Sequence, residues 1–312
     1  TSRAHGDRTL EMLAQARAVD VTPTQSVLEA ALLEPDEIKR LRPPYNVALQ
    51  ERDRRLGYWS WSLRNVALRA DERHPLGPIP LSAPRPPLSA LLQLLDSGGG
   101  ARAAESLAPS VLGVPRRYAP LLDCFRSGLA LFVERHGRWW SEGPPARALQ
   151  AVSGRIEHRR RTEPESPPPD DTDRAALAER WSPPGVADLL EDVVLRGAHV
   201  LRRARWLCAL SECALAWTAS DAHEARRCLV VSRGAIAERH DLEPGQPMPL
   251  PPGHAVPLYE RQEALDLAAY DRLSALSREL KALVLTGGSV TLRLDRASTL
   301  DQGALVRALE RR

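Results

Sequence analysis

Apolar residues recur at helical spacing over most of this chain and at strand spacing in a few short stretches. The pattern predicts a helix from Ser26 to about Arg42: Ser26 and Glu29 have the S-x-x-E spacing of a capping box, and Pro43-Pro44 stop the helix. Before it, Ala18 to Thr22 (AVDVT) alternates and predicts a strand ending at Pro23. After it, Gly57 to Leu63 (GYWSWSL) sets Trp59, Trp61 and Leu63 against Tyr58, Ser60 and Ser62, as a half-buried strand does. A proline-rich bridge, His74 to Pro87, leads out of this unit.

From Leu88 onward the spacing is helical, with Leu88, Leu91, Leu92 and Leu95 on one face, a break at Gly98 to Gly100, and a longer helix from about Arg116 to Arg135. Arg159 to Asp173 (RRRTEPESPPPDDTD) is charged, prolyl and free of large apolar residues, which predicts a linker or exposed loop. Beyond it the pattern predicts helices around Val186 to Leu207, strands at Cys213 to Thr218 and Arg226 to Val231, and a turn at Gly234 into a third strand, Ala235 to Arg239. A Pro/Gly-rich loop, Glu243 to Gly253, then precedes a helix from about Glu260 to Leu283, a strand at Ser289 to Leu294 and a short helix at Leu300 to Arg312. The elements describe an α+β, helix-rich chain. Its expected segments are residues 1–65, a mostly helical 66–160, a linker at 161–173, and an α+β region at 174–312.

Composition changes this picture little. The chain has 312 residues, 43% hydrophobic and 27% charged, with a formal net charge of +3. The cations are 41 arginines against two lysines, Lys39 and Lys281. Arginine suits phosphate and guanine edges, but Ala, Arg, Leu and Pro are abundant together, and genomic base composition is the first explanation of that bias. No run of about eighteen apolar residues is present, and the first residues lack the apolar region of a signal peptide. Four cysteines read as reduced intracellular thiols, so the expected compartment is the cytoplasm. The chain starts at Thr1 rather than Met, which reads as a processed chain or a fragment.

Chemistry concentrates in Val27 to Asn46, VLEAALLEPDEIKRLRPPYN. Glu29, Ala30, Leu32, Leu33, Glu34, Ile38, Lys39, Pro43, Tyr45 and Asn46 match the pattern E-A-x-L-L-E-x-x-x-I-K-x-x-x-P-x-Y-N, in which glutamate and asparagine stand twelve positions apart. The stretch from about Arg8 to Leu63 resembles the back half of the nuclease domain of the GIY-YIG superfamily, especially the C subunit of the UvrABC excinuclease type. That resemblance implies a metal-dependent, structure-specific DNA endonuclease of DNA repair, with Glu34 as ligand to one Mg2+ or Mn2+ ion and Asn46 ordering the active site. Lys39 and Tyr45 belong to the same motif. The implied partners are DNA and other repair proteins, with neither a membrane nor a small-molecule cofactor beyond the metal.

The residues themselves fit such a role. A hard cation takes carboxylate oxygen, keeps most of its waters and lets the scissile phosphate complete its shell. Glu29 is committed to the capping box, whereas Glu34 has Ala30, Ala31 and Ile38 at i−4, i−3 and i+4, predicting an apolar neighbourhood and a partly desolvated carboxylate. The alternative from periodicity alone is an exposed or arginine-paired helix glutamate. Pro35 departs from the pattern and predicts a kink just after Glu34. The GIY and YIG strands, their tyrosines and the arginine of the first helix are absent from this sequence, and Thr1 to Asp7 read as the loop after that helix. The expected consequence is a chain inactive by itself, whose parent resembles proteins that in some bacteria also carry a proofreading-type exonuclease domain. The competing expectation is a non-catalytic DNA-binding or interaction remnant.

Other candidates are weaker. Arg40 and Arg42 on the motif helix, and Arg202, Arg203 and Arg205 before Trp206, could follow a phosphate backbone, with Trp139 and Trp140 as stacking platforms. A solvated helix face and buried tryptophans explain them as well. Cys208, Cys213, His223 and Cys228 could be forced into a zinc site, but the first two lie in the apolar run CALSECALAW, where core thiols are usual.

Overall fold

The computed structural model describes residues 7–43, 55–81, 87–98, 100–112, 122–162, 181–218, 226–255 and 265–310. In chain order these form α1 (Asp7–Gln15), α2 (Val27–Leu41), β1 (Leu56–Trp59), β2 (Val66–Ala67), β3 (Leu76–Pro80), α3 (Pro87–Asp96), α4 (Ala101–Leu112), α5 (Leu122–His136) and α6 (Pro145–Thr162). There follow α7 (Pro183–Ser211), β4 (Cys213–Thr218), β5 (Arg226–Ser232), β6 (Ala235–Leu242), α8 (Leu267–Leu285), β7 (Val290–Arg293), β8 (Thr299–Leu300) and α9 (Gln302–Glu310). The architecture is α+β and helix-rich with small antiparallel sheets, as the pattern of spacing predicts.

The chain divides into two compact units, one gathering residues 1–53, 209–261 and 265–311, the other residues 54–208 with 262–264 and 312. The first 53 residues therefore cluster with the C-terminal part of the chain.

In the first unit a five-stranded antiparallel sheet runs in the order β6-β5-β4-β7-β8. Register pairs Ala214 with Val230 and Ala216 with Cys228 on one face, and Cys213 with Val231 and Leu215 with Leu229 on the other. All eight are buried, so these central strands are covered on both faces and read as continuous apolar runs. The β5–β6 hairpin closes through Arg233 and Gly234, with φ of 48° and 71°, the positive pair that a tight hairpin turn requires. Arginine is an unusual occupant of such a position, and the buried Glu212 holds it there. Its Oε1 accepts the Arg233 N–H at 2.8 Å and the Ser232 hydroxyl at 3.0 Å, while Oε2 accepts the Gly253 N–H at 3.2 Å. A Cβ on Gly253 would lie 3.0 Å from the Glu212 side chain, so the approach favours glycine.

In the second unit a three-stranded sheet, β2-β1-β3, accompanies α3, α4, α5, α6 and most of α7. One continuous core joins Trp59, Leu91, Phe125, Phe132, Leu149, Ile156, Val186 and Leu190. A Cβ at Gly128 would meet Val186 at 2.5 Å, and one at Gly197 would meet Leu88 at the same distance, so both glycines permit close helix packing.

Several sequence expectations need correction. Residues 18–22 are not a strand: they pair with no described residue, and Val19 and Val21 are 85% and 79% exposed. Alternation specifies a face, but without a neighbouring strand it makes no ladder. The strand expected over residues 57–63 ends at Trp59, since residues 60–63 turn and Leu63 adopts φ of 60°. The proline-rich bridge contains β3, antiparallel to β1. Arg159 to Thr162 are not linker but the last turn of α6.

That last turn is held by charge. Glu191 of α7 is fully buried, its Oε1 lies 2.8 Å from His136 Nε2 and 3.4 Å from Arg135, and its Oε2 accepts from Arg159 and, at 3.3 Å, from Arg160. Burial pushes the Glu191 carboxyl up, but the His136 hydrogen bond and the Arg159 guanidinium outweigh it and bring the group down to about 2 from 4.5. A depressed carboxyl contributes stability that is complete above its unfolded value and lost as pH falls through the folded one. The second unit is therefore expected to lose stability between about pH 4.5 and 2. Glu191→Gln should remove that acid-sensitive component and cost about 3 kcal/mol at neutral pH, both readable by urea unfolding followed by circular dichroism at a series of pH values.

Candidate functional site

Helix α2 forms where the capping signal places it. Ser26 is the N-cap, its hydroxyl accepting the Glu29 N–H at 3.1 Å. The reciprocal half of the box differs by one position: Glu29 Oε2 accepts the N–H of Gln25 at 2.9 Å, not that of Ser26. At the far end Arg42 adopts the left-handed conformation, φ 49° and ψ 51°, and donates its N–H to the Ile38 carbonyl at 2.9 Å. The helix continues through Pro35 to Leu41.

The inward stripe of α2 is Leu28, Ala31, Leu32, Pro35 and Ile38, all buried. Helix α2 packs along α8, and charged groups beside the stripe are matched across the contact. Lys39 Nζ lies 2.8 Å from the buried carboxylate of Asp271 and donates to the Leu267 carbonyl at 3.4 Å. Asp36 takes Arg272 at 2.8 Å, and the same guanidinium donates through Nε to the Gly234 carbonyl at 2.7 Å. Glu29 Oε1 accepts from Arg239 of β6 at 2.6 Å. Sequence reasoning did not find Asp271, Arg272 or Arg239 as partners; the one available signal was a carboxylate, Asp271, among Ala269, Tyr270 and Leu273 on an apolar helix face.

Glu34 is exposed, against the expectation of an apolar and partly desolvated setting. It sits one residue before Pro35, and one residue is a rotation of about 100° on a helix, which carries it off the buried stripe. Its position leaves it free. Of the α2 carboxylates, Glu29, Asp36 and Glu37 each meet an arginine, whereas Glu34 has no hydrogen-bond or ion-pair partner among the described residues. Arg40 pairs with Glu37 at 2.5 Å on the exposed side, and the hydrogen bond it donates holds the Glu37 carboxyl below its ordinary value. Tyr45 and Asn46 lie outside the described residues.

The other candidates fall in the core or on helix α7 of the second unit. Trp139 and Trp140 are buried in the second unit, which removes them as stacking platforms. Arg202 pairs with Glu157 at 3.0 Å and donates to the Ser153 hydroxyl at 3.4 Å. Arg203 and Arg205 are exposed on the same helix. Cys208 donates to the Gly77 carbonyl at 3.4 Å, and burial pushes the Cys228 thiol up to about 11, so both behave as core thiols. His223 lies outside the described residues. No described helix is long and apolar enough to cross a membrane.

A short stretch is similar to the UvrABC system protein C of Sphingopyxis alaskensis: 52% identical over 44 residues, covering 14% of this chain and 7% of the relative. No family model and no solved structure matches the chain. The likeness supports an excinuclease C-like relationship at that coarse level.

The two kinds of carboxylate-facing residue separate by mutation. Lys39→Met is expected to destabilise the chain by about 2–3 kcal/mol, because it removes the cation matched to buried Asp271. Glu34→Gln should stay within about 0.5 kcal/mol, as an unengaged surface group does. Urea denaturation of the two variants checks this, and equal losses would contradict the structural assignment.

Proposed function

We propose that this chain carries part of a metal-dependent, structure-specific DNA endonuclease of the excinuclease type, acting in DNA repair. The observation that carries the reading is the 52% identity over 44 residues with UvrABC system protein C. The free, exposed carboxylate of Glu34 supports it, because a ligand that meets both a hydrated cation and a phosphodiester must be reachable from solvent.

Among the described residues no three His, Cys, Asp or Glu side chains gather into a cage. Glu34 offers a single exposed carboxylate, and Mg2+ or Mn2+ held by one protein oxygen takes water and phosphate to complete its shell. Glu34 would hold the ion, which when bound supplies positive charge at the scissile phosphate. The work of this chain is positional: Glu29, Asp36 and Lys39 fasten α2 so that Glu34 points outward. Asn46 is assigned to ordering the site, and Arg40 and Arg42 to the DNA backbone. On this reading hydrolysis further needs the residues of the other half of such a domain, and the proposed compartment is the cytoplasm.

A second reading has its own support. The motif's Glu29 and Lys39 are both consumed in fastening α2, so the motif also serves as packing, and a chain that binds DNA or a protein without cleaving it would keep it for that reason.

Nicking of branched or lesion-bearing duplex in Mg2+ or Mn2+ decides between the two. The 312-residue chain is expected to bind duplex without nicking it. Extended by any coding sequence preceding Thr1, it is expected to nick, and Glu34→Ala should lower that rate at least about a hundredfold with DNA binding retained. Undiminished cleavage by Glu34→Ala would overturn the assignment, and an extended chain that binds but never nicks selects the second reading.

A further inference from the structure

Helices α6 and α7 run antiparallel within the second unit. Near one end Arg202 of α7 donates to Ser153 and Glu157 of α6 at 3.4 and 3.0 Å, and near the other Arg160 of α6 reaches Asp192 of α7 at 2.7 Å. Both helices turn apolar stripes into the same core, Leu149, Val152 and Ile156 from α6 and Leu190, Val194 and Leu201 from α7. Their opposite sides therefore form one surface of the unit.

That surface is cationic once internal pairs are set aside. The carboxylates of the two helices are Glu157, Asp188, Glu191 and Asp192, and they already meet Arg202, Arg135, Arg159 and Arg160 respectively. Arg155, Arg161 and Arg203 are exposed, with no ion-pair or hydrogen-bond partner for their guanidinium groups among the described residues. Arg196, also exposed, donates only to the Asp192 carbonyl of its own helix, at 3.2 Å. On α6 the exposed Arg155, His158 and Arg161 follow one another at three-residue steps and share one side. On α7 Arg196 and Arg203 are seven positions apart, which puts them on the same side, about 10 Å from each other along the axis. Arg202 is taken by Glu157, and Arg205, two positions on from Arg203, projects from the other side of the helix.

What the surface lacks narrows the partner. Among the described residues none of the exposed large apolar side chains lies on α6 or α7, so there is no apolar anchor of the kind a protein interface or a membrane-surface helix uses. The aromatic residue on these two helices, Trp206, is buried, so there is no platform on which an unpaired base could stack. Free guanidiniums alone remain, spread over two adjacent helices, and they match a ligand that carries regularly spaced phosphates and hides its bases. We propose that the outer side of α6 and α7 binds the phosphate backbone of duplex DNA, with Arg155, Arg161, Arg196 and Arg203 each meeting phosphate oxygens and no base edge being read. The choice of DNA rests on the excinuclease reading, to which this face adds a second contact in the other unit. Binding there needs neither Glu34 nor a metal ion, so the two ideas fail separately.

Fluorescence anisotropy of the full chain with a labelled duplex of about 20 base pairs, in EDTA and over a series of NaCl concentrations, tests the proposal. The parent is expected to bind with Kd of about 10 µM or tighter at about 50 mM NaCl. Combined Arg155→Gln, Arg161→Gln, Arg196→Gln and Arg203→Gln should weaken binding at least about tenfold and reduce the slope of log K against log salt by about three to four. The control neutralises four exposed arginines elsewhere in the second unit, Arg69, Arg73, Arg102 and Arg126, and should stay within about twofold of the parent. All eight side chains are exposed, so the far-ultraviolet circular dichroism of both variants should match the parent. No binding by the parent at about 100 µM, or equal losses in the two variants, would overturn the proposal. So would an unchanged salt slope in the first variant, or polyglutamate displacing the duplex at equal charge concentration, which would point to an acidic polypeptide.

Discussion

Helix α2 holds its position because each charge beside its buried stripe has a counter-charge across the contact. Apolar burial of Leu28, Leu32 and Ile38 attaches the helix, but such packing alone tolerates rotation and sliding. The Lys39–Asp271, Asp36–Arg272 and Glu29–Arg239 pairs remove that freedom, since a shift of one residue would leave the Asp271 carboxylate buried without its lysine. The exposure of Glu34 depends on this rotational setting. Its exposure is a consequence of where its neighbours are tied.

The same device recurs through the chain. Glu191 gathers Arg135, Arg159, Arg160 and His136 and joins the ends of α5 and α6 to α7. Glu212 gathers backbone N–H groups and a hydroxyl to hold an arginine in a left-handed turn. A sequence with 41 arginines invites a nucleic-acid reading, yet several of the arginines with resolved partners bind the chain's own carboxylates. Arginine's weaker hydration and forked donors make it the less costly cation to bring into such contacts. Composition therefore says little here about a polyanionic partner. The informative arginines are those left without carboxylates.

Local signals were legible and non-local ones were not. The Ser26 cap, the stop at Pro43, the strands β4 and β5 and the turn at Gly234 all follow from spacing within a few residues, and the structure places them where that spacing puts them. Residues 18–22 show the limit: period-two alternation was present, but a ladder needs a neighbouring strand and none is found among the described residues. The charged turn at the end of α6 misled for a related reason. Its arginines look like linker until Glu191, 32 residues further on, is brought against Arg159. Asp36 and Arg272 are 236 positions apart, a separation at which no periodicity applies. Glu34 was picked out by motif, while its environment was misjudged because its neighbours Ala31 and Ile38 form only the near edge of the buried stripe, whose centre lies about 100° further round the helix.

That correction alters what a metal could do at Glu34 on the proposed reading. A desolvated carboxylate would attract a cation by itself and hold it in the absence of substrate. An exposed one gains little from a single hard cation, because water solvates both partners nearly as well and a lone contact in high dielectric amounts to about 1 kcal/mol. Affinity must then come from the phosphodiester, whose oxygens add charge and ligands at the same moment. Cation and DNA become coupled ligands, each raising the affinity for the other by the same factor. An exposed, unpartnered glutamate on a firmly tied helix is thus consistent with a centre assembled on its substrate, and the firmness of α2 matters more to that assembly than any intrinsic attraction of Glu34 for metal.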